Sequence, residues 1–252
     1  MKAKATSTIF LFLLFAISTF AQSTFSANSS DMRNQATFES NAPMEDIIGV
    51  SNKLDIMVMI NTNDITKMPK GKVDVDLVSL KTGIELRDEH LRSPNWLDTE
   101  KFPKAKFMLT GISAASSNML ADTKKVTATG HGKFTVHGVT KGISVPMELT
   151  YYKENKITKG KMPGNLLKVK ANFSIELGDY GVKIPGMVVG KLNETIKVSV
   201  NFMASDAGGG MNPCNPCNPC GVKKSMKNPC NPCGVKKMMK KVNPCNPCNP
   251  MK

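Results

Sequence analysis

Apolar and polar residues alternate with a period of two along most of the chain between residues 36 and 205. In the segment KVDVDL, Val73, Val75 and Leu77 share one face, which is typical of a strand with one buried side. The same alternation recurs in further segments and, with a short first strand, predicts about eight strands. These lie at residues 36–40, 54–60, 73–77, 105–109, 126–136, 143–151, 167–177 and 196–202.

Turn-forming segments such as NTND, HGVTKG and YYKENK separate the strands, which favours an antiparallel meander. A sheet with one apolar face must close or be covered. One stretch, LKTGIELRDEHLRSPNW, breaks the alternation: Thr82 and Glu85 have capping-box spacing and Pro94 ends the segment, which predicts one short helix. The predicted fold class is all-β, an eight-stranded antiparallel lipocalin-like barrel with one short helix and a disordered C-terminal tail.

The N-terminal segment has the pattern of a secretory signal peptide. Within residues 1–21, Lys2 and Lys4 precede an apolar run and then small residues, and the run is too short to span a membrane. We therefore expect an exported protein, periplasmic or secreted, with no transmembrane segment in the mature chain. Residues 22–35, rich in Asn, Ser and Gln, are predicted to be an unstructured lead-in.

The remaining chain divides into a barrel domain at residues 36–205 and a tail at 206–252. All seven cysteines lie in the tail, which from Met211 onward has eight lysines and no acidic residue. The formal net charge of +14 is thus dominated by the tail. Such a composition cannot bury enough apolar surface to offset chain entropy, so we expect the tail to be disordered.

Two segments carry a family resemblance. LRDEHLRSPNWLDTEKFPKAKF and GKFTVHGVTKGISVPMELTY resemble the two motifs of the YceI-like family of exported, polyisoprenoid-binding, lipocalin-like proteins. The resemblance covers about residues 36–204, and the tail departs from the family pattern. The residues that match the first motif are Arg87, Asp88, His90, Leu91, Arg92, Ser93, Leu97, Asp98, Phe102, Pro103 and Phe107, with Trp96 at its aromatic position.

The resemblance implies a barrel that encloses an apolar tunnel for a polyprenyl chain or an isoprenoid quinone. Large inward residues are interleaved with Ala128, Gly130, Gly132 and Ala171, a mixture that would leave an unfilled channel. An ordinary packed core is the alternative that the residues alone would favour. The expected lining residues are Phe107, Leu109, Phe134, Val136, Val145, Met147, Leu149, Val169, Phe173, Ile175, Val198, Val200 and Phe202.

Polar candidates for the mouth of the barrel lie on the predicted helix and just after it. Arg87, His90 and Arg92, with Trp96, are placed to meet the polar end of a ligand. In the alternative interpretation, Arg87 or Arg92 pairs with Asp88 or Asp98 and fixes the helix to the barrel.

The barrel segment lacks the common catalytic motifs. It has no G-x-S-x-G elbow, no H-E-x-x-H pair, no phosphate-binding glycine loop, and no cysteine to pair with a histidine. We therefore expect a carrier or binding protein that requires no cofactor and binds no nucleic acid. A hydrolase of unrecognised type is the third possibility, since three histidines and several carboxylates are scattered along the chain.

The tail repeats the tripeptide NPC. Four of its cysteines form C-x2-C-x9-C-x2-C, a spacing compatible with a thiolate metal site. Three interpretations stay open: the thiols bind Cu(I) or Zn, they form disulfides within the tail or with an envelope partner, or the lysines hold anionic envelope surfaces. The alternative function is therefore an envelope metal-binding or thiol-redox module. The candidate metal ligands are Cys214, Cys217, Cys220, Cys230, Cys233, Cys245 and Cys248.

Overall fold

Ten β-strands in the described part of the chain form one antiparallel sheet that closes on itself. The computed structural model describes residues 22–208, so the predicted signal peptide and nearly all of the tail, with its seven cysteines, lie outside the described residues. The strands are β1 (Ser23–Ala27), β2 (Gln35–Asn41), β3 (Asp46–Ser51), β4 (Leu54–Ile60), β5 (Lys70–Asp76), β6 (Lys104–Ser113), β7 (Lys125–Val136), β8 (Val139–Tyr152), β9 (Leu166–Glu176) and β10 (Thr195–Ser205); the helices are α1 (Glu85–Arg92) and α2 (Lys156–Lys161).

Eight of these strands form the closed ring. Their order is β1-β4-β5-β6-β7-β8-β9-β10, and the ring closes where Ser26 of β1 pairs with Ser205 of β10. The remaining two strands form a hairpin, β2–β3, that continues the wall beside the other half of β10, with Val198 paired to Phe38. The predicted eight-stranded antiparallel barrel is confirmed.

The first strand of the ring lies upstream of its predicted position. Residues 22–35 were expected to be an unstructured lead-in, but Ser23–Ala27 pairs with β4 along its whole length and Phe25 is fully buried. The expectation is wrong because STFSA carries a single large apolar residue, so it shows no alternation. Pairing with β4, about 30 residues later, and not local pattern, places it in the sheet.

One end of the barrel, here called the base, is densely packed. Phe25, Ile60 and Leu167 have no measurable exposure, and the β4–β5 loop inserts Ile65, which is equally buried. The β6–β7 loop adds Leu120 to the same cluster. The base therefore holds the hydrophobic core that stabilises the ring.

The described chain both begins and ends at the base. Gln22 donates a side-chain hydrogen bond to the carbonyl of Met68 (2.8 Å). Asp206 was expected to belong to the tail, but its carboxylate accepts hydrogen bonds from the backbone and side-chain amides of Asn165 (2.8 and 2.7 Å). The barrel therefore extends beyond residue 205.

Helix α1 crosses the opposite end, here called the mouth, as predicted, but it starts differently. Its N-cap is Ile84, without a side-chain cap, and Thr82 hydrogen-bonds Asp88 instead of forming a capping box with Glu85. Gly83, at φ +85°, turns the chain between Thr82 and the helix.

A second helix, α2, occupies the β8–β9 loop, where a turn was predicted, and Asn155 caps it. Within residues 22–208 no helix is long and apolar enough to cross a membrane.

Candidate ligand-binding site

The half of the barrel nearest the mouth encloses a cavity of about 520 Å³. Ile196 at the mouth end of β10 is 5% exposed, but the inward residues Phe173, Ile175, Val198 and Val200 of β9 and β10 are only half-buried, although they face the interior. Their residual exposure is to the cavity, since each of them lines it. The volume falls in the usual range for small-molecule sites, roughly 300–1,000 Å³. The barrel is therefore hollow at this end and not filled by its own side chains.

All of the predicted lining residues line this cavity. They come from β6 to β10: Phe107, Leu109, Phe134, Val136, Val145, Met147, Leu149, Val169, Phe173, Ile175, Val198, Val200 and Phe202. Of the four small residues expected to leave space, Gly130 and Ala171 line the cavity, whereas Ala128 and Gly132 do not. Whether these side chains contact a ligand stays a prediction.

Several lining residues carried no signal in the sequence. Leu80 lies after β5 in an irregular stretch, and Tyr180 and Val182 lie in the long β9–β10 connection. Neither segment has period-two alternation, so facing could not be assigned to them. Phe38 of β2 also lines the cavity, and the alternation of Ala36 and Phe38 would have indicated it.

An aromatic cluster forms part of the wall. Phe134 meets Phe173 and Tyr180 edge to face, with ring centroids 5.4 and 5.6 Å apart, the geometry that aromatic pairs favour. Burial raises the pKa of the Tyr180 phenol, and nearby Asp179 adds to the shift. The phenol is therefore neutral at physiological pH and adds no charge to the cavity.

Apart from Thr37 on β2 and Lys106 on β6, the polar residues that line the cavity lie at the mouth. Of the four predicted mouth residues, Arg87, His90 and Trp96 line the cavity, whereas Arg92 does not. Arg92 was therefore wrongly placed at the opening: its neighbours His90 and Leu91 on the last turn of α1 line the cavity, and Arg92 lies on a different side of the helix. Glu45 and Lys191 also line the mouth and were not predicted.

Arg87 links α1 to the β2–β3 turn. Its guanidinium forms an ion pair with Glu45 and donates to the Thr82 hydroxyl (2.9 Å) and the Thr82 carbonyl (3.0 Å). The alternative in which Arg87 pairs with Asp88 or Asp98 is therefore wrong in its partner, although it correctly gives the arginine a structural role. Glu45 is 42 residues away, so helix spacing gave no indication of it.

Asp88 anchors the other side of α1. It is 3% exposed and accepts hydrogen bonds from the backbone amide (2.7 Å) and hydroxyl (2.6 Å) of Thr82, with Lys81 3.6 Å away. Burial by itself raises the pKa of Asp88, but the Thr82 hydrogen bonds and Lys81 outweigh it, so the pKa lies below its usual value. The carboxylate is therefore charged at neutral pH and holds the helix start in place.

The three histidines lie at separate places. His90 is at the mouth, and His131 is on the outer face of β7 between Ser113 Oγ (2.6 Å) and Ser144 Oγ (3.0 Å). His137 donates from Nδ1 to the carbonyl of Tyr180 (3.0 Å). Among residues 22–208 no group of three or more His, Cys, Asp or Glu side chains could hold a metal ion. The candidate metal ligands of the tail lie outside the described residues.

A closed antiparallel barrel around an apolar, mouth-opening cavity defines the class of lipocalin-like binding barrels. Residues 15–204 match the YceI-like domain, and the chain belongs to this family. A UPF0312 protein of Pseudomonas putida (strain GB-1) is 33% identical over 139 residues, which cover 54% of this chain and 66% of the relative. The chain thus matches just under two thirds of that relative's length.

Solved structures with the same fold are distant in sequence. A domain from Saccharophagus degradans, described as a polyisoprenoid binding domain implicated in plant cell wall breakdown, superposes with a TM-score of 0.55 at 15% identity and covers 73% of this chain and 99% of its own. Burkholderia cenocepacia BcnA superposes with a TM-score of 0.53 at 16% identity and covers 69% of this chain and 97% of its own. At these identities the likeness establishes the fold.

Proposed function

We propose that the protein is an exported carrier that holds a polyisoprenoid chain, or the isoprenoid tail of a quinone, inside the barrel. The observation that carries the proposal is the cavity of about 520 Å³, whose wall is apolar from the aromatic cluster to the packed base. Membership of the YceI-like family and the description of the Saccharophagus degradans domain support the ligand class. Export rests on the signal-peptide pattern of residues 1–21.

The distribution of polar groups selects the shape of the ligand. A polar group buried without a hydrogen-bond partner loses roughly 1–3 kcal/mol. Apart from Thr37 and Lys106, the strand residues around the cavity supply apolar side chains. Arg87, Glu45, Thr82, His90 and Lys191 all stand at the opening. A molecule with a long apolar tail and a single polar end fits this arrangement, with its tail inward and its polar end at the mouth.

A carrier is favoured over an enzyme by the same geometry. Two of the charged side chains at the mouth are already engaged in holding α1, because Arg87 binds Glu45 and Thr82, and Asp88 is held by Thr82 and Lys81. The apolar wall offers no group that could polarise a bond. The proposed activity is therefore binding and release without chemical change.

The proposal is tested by a substitution that fills the cavity with a large side chain. Ala171 lines it, and the preceding residue, Lys170, is exposed on the outer face of β9. Native mass spectrometry of the protein purified from producing cells should show a noncovalent lipid adduct that dissociates on denaturation. Ala171→Phe should abolish the adduct, whereas Lys170→Phe, the same bulk on the opposite face, should retain it. A wild-type protein without adduct, and without uptake of added long-chain isoprenoid alcohol or quinone, would contradict the carrier function.

A second proposal concerns the tail and rests on its sequence. The C-x2-C-x9-C-x2-C spacing within Cys217–Cys233 favours a soft-metal or thiol-redox role in the envelope. Deleting residues 211–252 should remove metal binding while the lipid adduct remains. If the truncated protein binds Cu(I) or Zn as the full chain does, the tail is not the metal site.

A further inference from the structure

Four of the large apolar side chains that are exposed in the described part of the chain lie around the mouth. Met44 in the β2–β3 turn is 71% exposed, Val189 in the β9–β10 connection 68%, and Leu86 and Ile84 beside the start of α1 61% and 51%. These four residues are here called the apolar rim. Exposed apolar groups that converge on one site, and are not scattered singly, indicate an interaction surface.

Contacts between the three segments make the rim continuous. The backbone amide of Met44 donates to the carbonyl of Gly190 (3.0 Å), which places the β2–β3 turn against the segment that carries Val189. On the other side, the ion pair of Glu45 with Arg87 ties the same turn to α1. The rim is therefore one arc with the β2–β3 turn at its centre.

The rim is continuous with the cavity. Ile84 and Leu86 both line the cavity and protrude from the mouth, and Val188, next to Val189, lines it as well. The inner side of the helix segment already has packing partners, because Leu91 and Leu97 contact the apolar cluster around Phe134 and Tyr180. Apolar surface thus runs without a break from the interior to the outside of the protein.

Several charges around the rim are paired, and two further charged residues, Glu85 beside Ile84 and Lys191 near Val189, are of opposite sign. Arg87 pairs with Glu45, Lys81 with Asp88 at 3.6 Å, and Lys141 with Asp179 at 2.6 Å. A surface of this kind offers apolar side chains for insertion and no concentrated charge of either sign. It fits the interface of a lipid bilayer, where apolar residues enter the acyl boundary and paired polar groups lie among the headgroups.

We propose that the apolar rim inserts into a lipid bilayer with the mouth facing the membrane, so that the apolar ligand passes between bilayer and cavity without crossing water. This inference rests on the proposed carrier function. The base, where the described chain begins and ends, then faces away from the membrane. Binding depends on apolar insertion, so it needs no anionic lipid and resists salt, unlike attraction through the tail lysines.

The experiment measures co-flotation of the full-length protein, purified from producing cells, with vesicles of pure phosphatidylcholine in about 0.5 M salt, which suppresses long-range charge effects. Met44→Glu and Val189→Glu change rim residues that do not line the cavity. Ile157→Glu and Met68→Glu are matched controls in the α2 and β4–β5 segments at the base, where the side chains are 76% and 75% exposed. Each rim variant should lower vesicle binding about tenfold, and the double rim variant should abolish it. The base variants should stay within about twofold of the wild type.

Native mass spectrometry of the same samples separates docking from ligand binding. Rim variants that keep the lipid adduct but lose the vesicles support the inference. If the wild-type protein holds the lipid adduct but does not bind the vesicles, or binds only vesicles that contain membrane protein, the docking proposal is wrong. The carrier function is not contradicted by that result. Equal loss in rim and base variants also overturns it. A wild-type protein that binds vesicles but neither holds nor takes up lipid contradicts the carrier function instead.

Discussion

The base and the mouth of the barrel are built from the same strands with the same alternation, yet one is solid and the other hollow. Along β10, Ala204 is fully buried near the base, while Val198 and Val200, at the same inward parity, are only half-buried and border the cavity, and Ile196 at the mouth end is covered again. β9 shows the same change between Leu167 and Phe173. Alternation therefore decides which way a side chain faces, but not whether the space in front of it is filled.

The connecting segments decide the filling. At the base, loops insert Ile65 and Leu120 into the ring. At the mouth, the segment around α1 covers the cavity with Leu91 and Leu97 but leaves Ile84 and Leu86 at the rim. The base thus supplies stability and the mouth supplies a binding site, a division that several natural folds make between packing and function.

The difference between the base and the mouth should be largest in the stability lost when a phenylalanine is removed from each. Phe25 is fully buried in the base and meets Tyr151 edge to face at 6.3 Å, whereas Phe173 borders the cavity. Phe25→Ala should lower the free energy of unfolding by about 3–5 kcal/mol. Phe173→Ala should lower it by about 1–2 kcal/mol, because one side of its ring already lacks contacts. Urea unfolding of both variants measures the difference, and equal losses would show that the two halves are equally packed.

Two glycines on β7 show how tightly the mouth half of the barrel is packed at two neighbouring inward positions. A methyl group at Gly132 would overlap the carbonyl oxygen of Met108, which is backbone, and would lie 2.7 Å from the Phe107 ring. At Gly130 it would meet only the flexible ends of Leu109 and Met147, both at 3.1 Å. Gly132→Ala should therefore lower the free energy of unfolding by about 2 kcal/mol. Gly130→Ala should change it by less than about 1 kcal/mol in either direction. Thermal unfolding checks both, and a Gly130→Ala loss as large as that of Gly132→Ala would mean that the cavity wall is rigid.

Parity explains why the cavity wall was predictable from the sequence. Once a strand such as β9 is recognised, the facing of Val169, Phe173 and Ile175 follows from the period of two. β1 was missed because its only large apolar residue is Phe25, and β3 because IIGVS runs almost directly into the next strand. Both are placed by pairing with distant strands, which local pattern does not report.

The mouth was predicted less well because long-range contacts define it. The helix was recognised from its local residues, but the partner of Arg87 is Glu45, on a turn whose position depends on the closed ring. Arg92 matched a family motif and yet does not line the cavity. A motif match fixes which residues are present, whereas the rotation of the helix on the barrel fixes which of them meet the opening.

The smallest expected effect concerns pH and the anchor of α1. Because the pKa of Asp88 is lowered in the folded protein, its ionised form contributes stability above the unfolded pKa, and this contribution is lost as pH falls through the folded pKa. The wild type should therefore lose stability between about pH 5 and about pH 3. Asp88→Asn should be less stable than the wild type at pH 7, because Lys81 loses its carboxylate, and the gap should narrow toward pH 3.

Other carboxylates whose pKa is lowered, among them Asp31 and Asp55, titrate in the same range. The informative quantity is thus the difference between wild type and variant at each pH, measured by urea unfolding, and not either curve alone. Asp31→Asn provides the control, since Asp31 pairs with Arg33 in the β1–β2 loop, away from the mouth. Hydrogen exchange of the α1 amides should rise with acidification in the wild type and in Asp31→Asn, and should already be raised at pH 7 in Asp88→Asn. If α1 exchange stays unchanged in Asp88→Asn, the helix is held by Arg87 and its apolar contacts, and Asp88 does not anchor it.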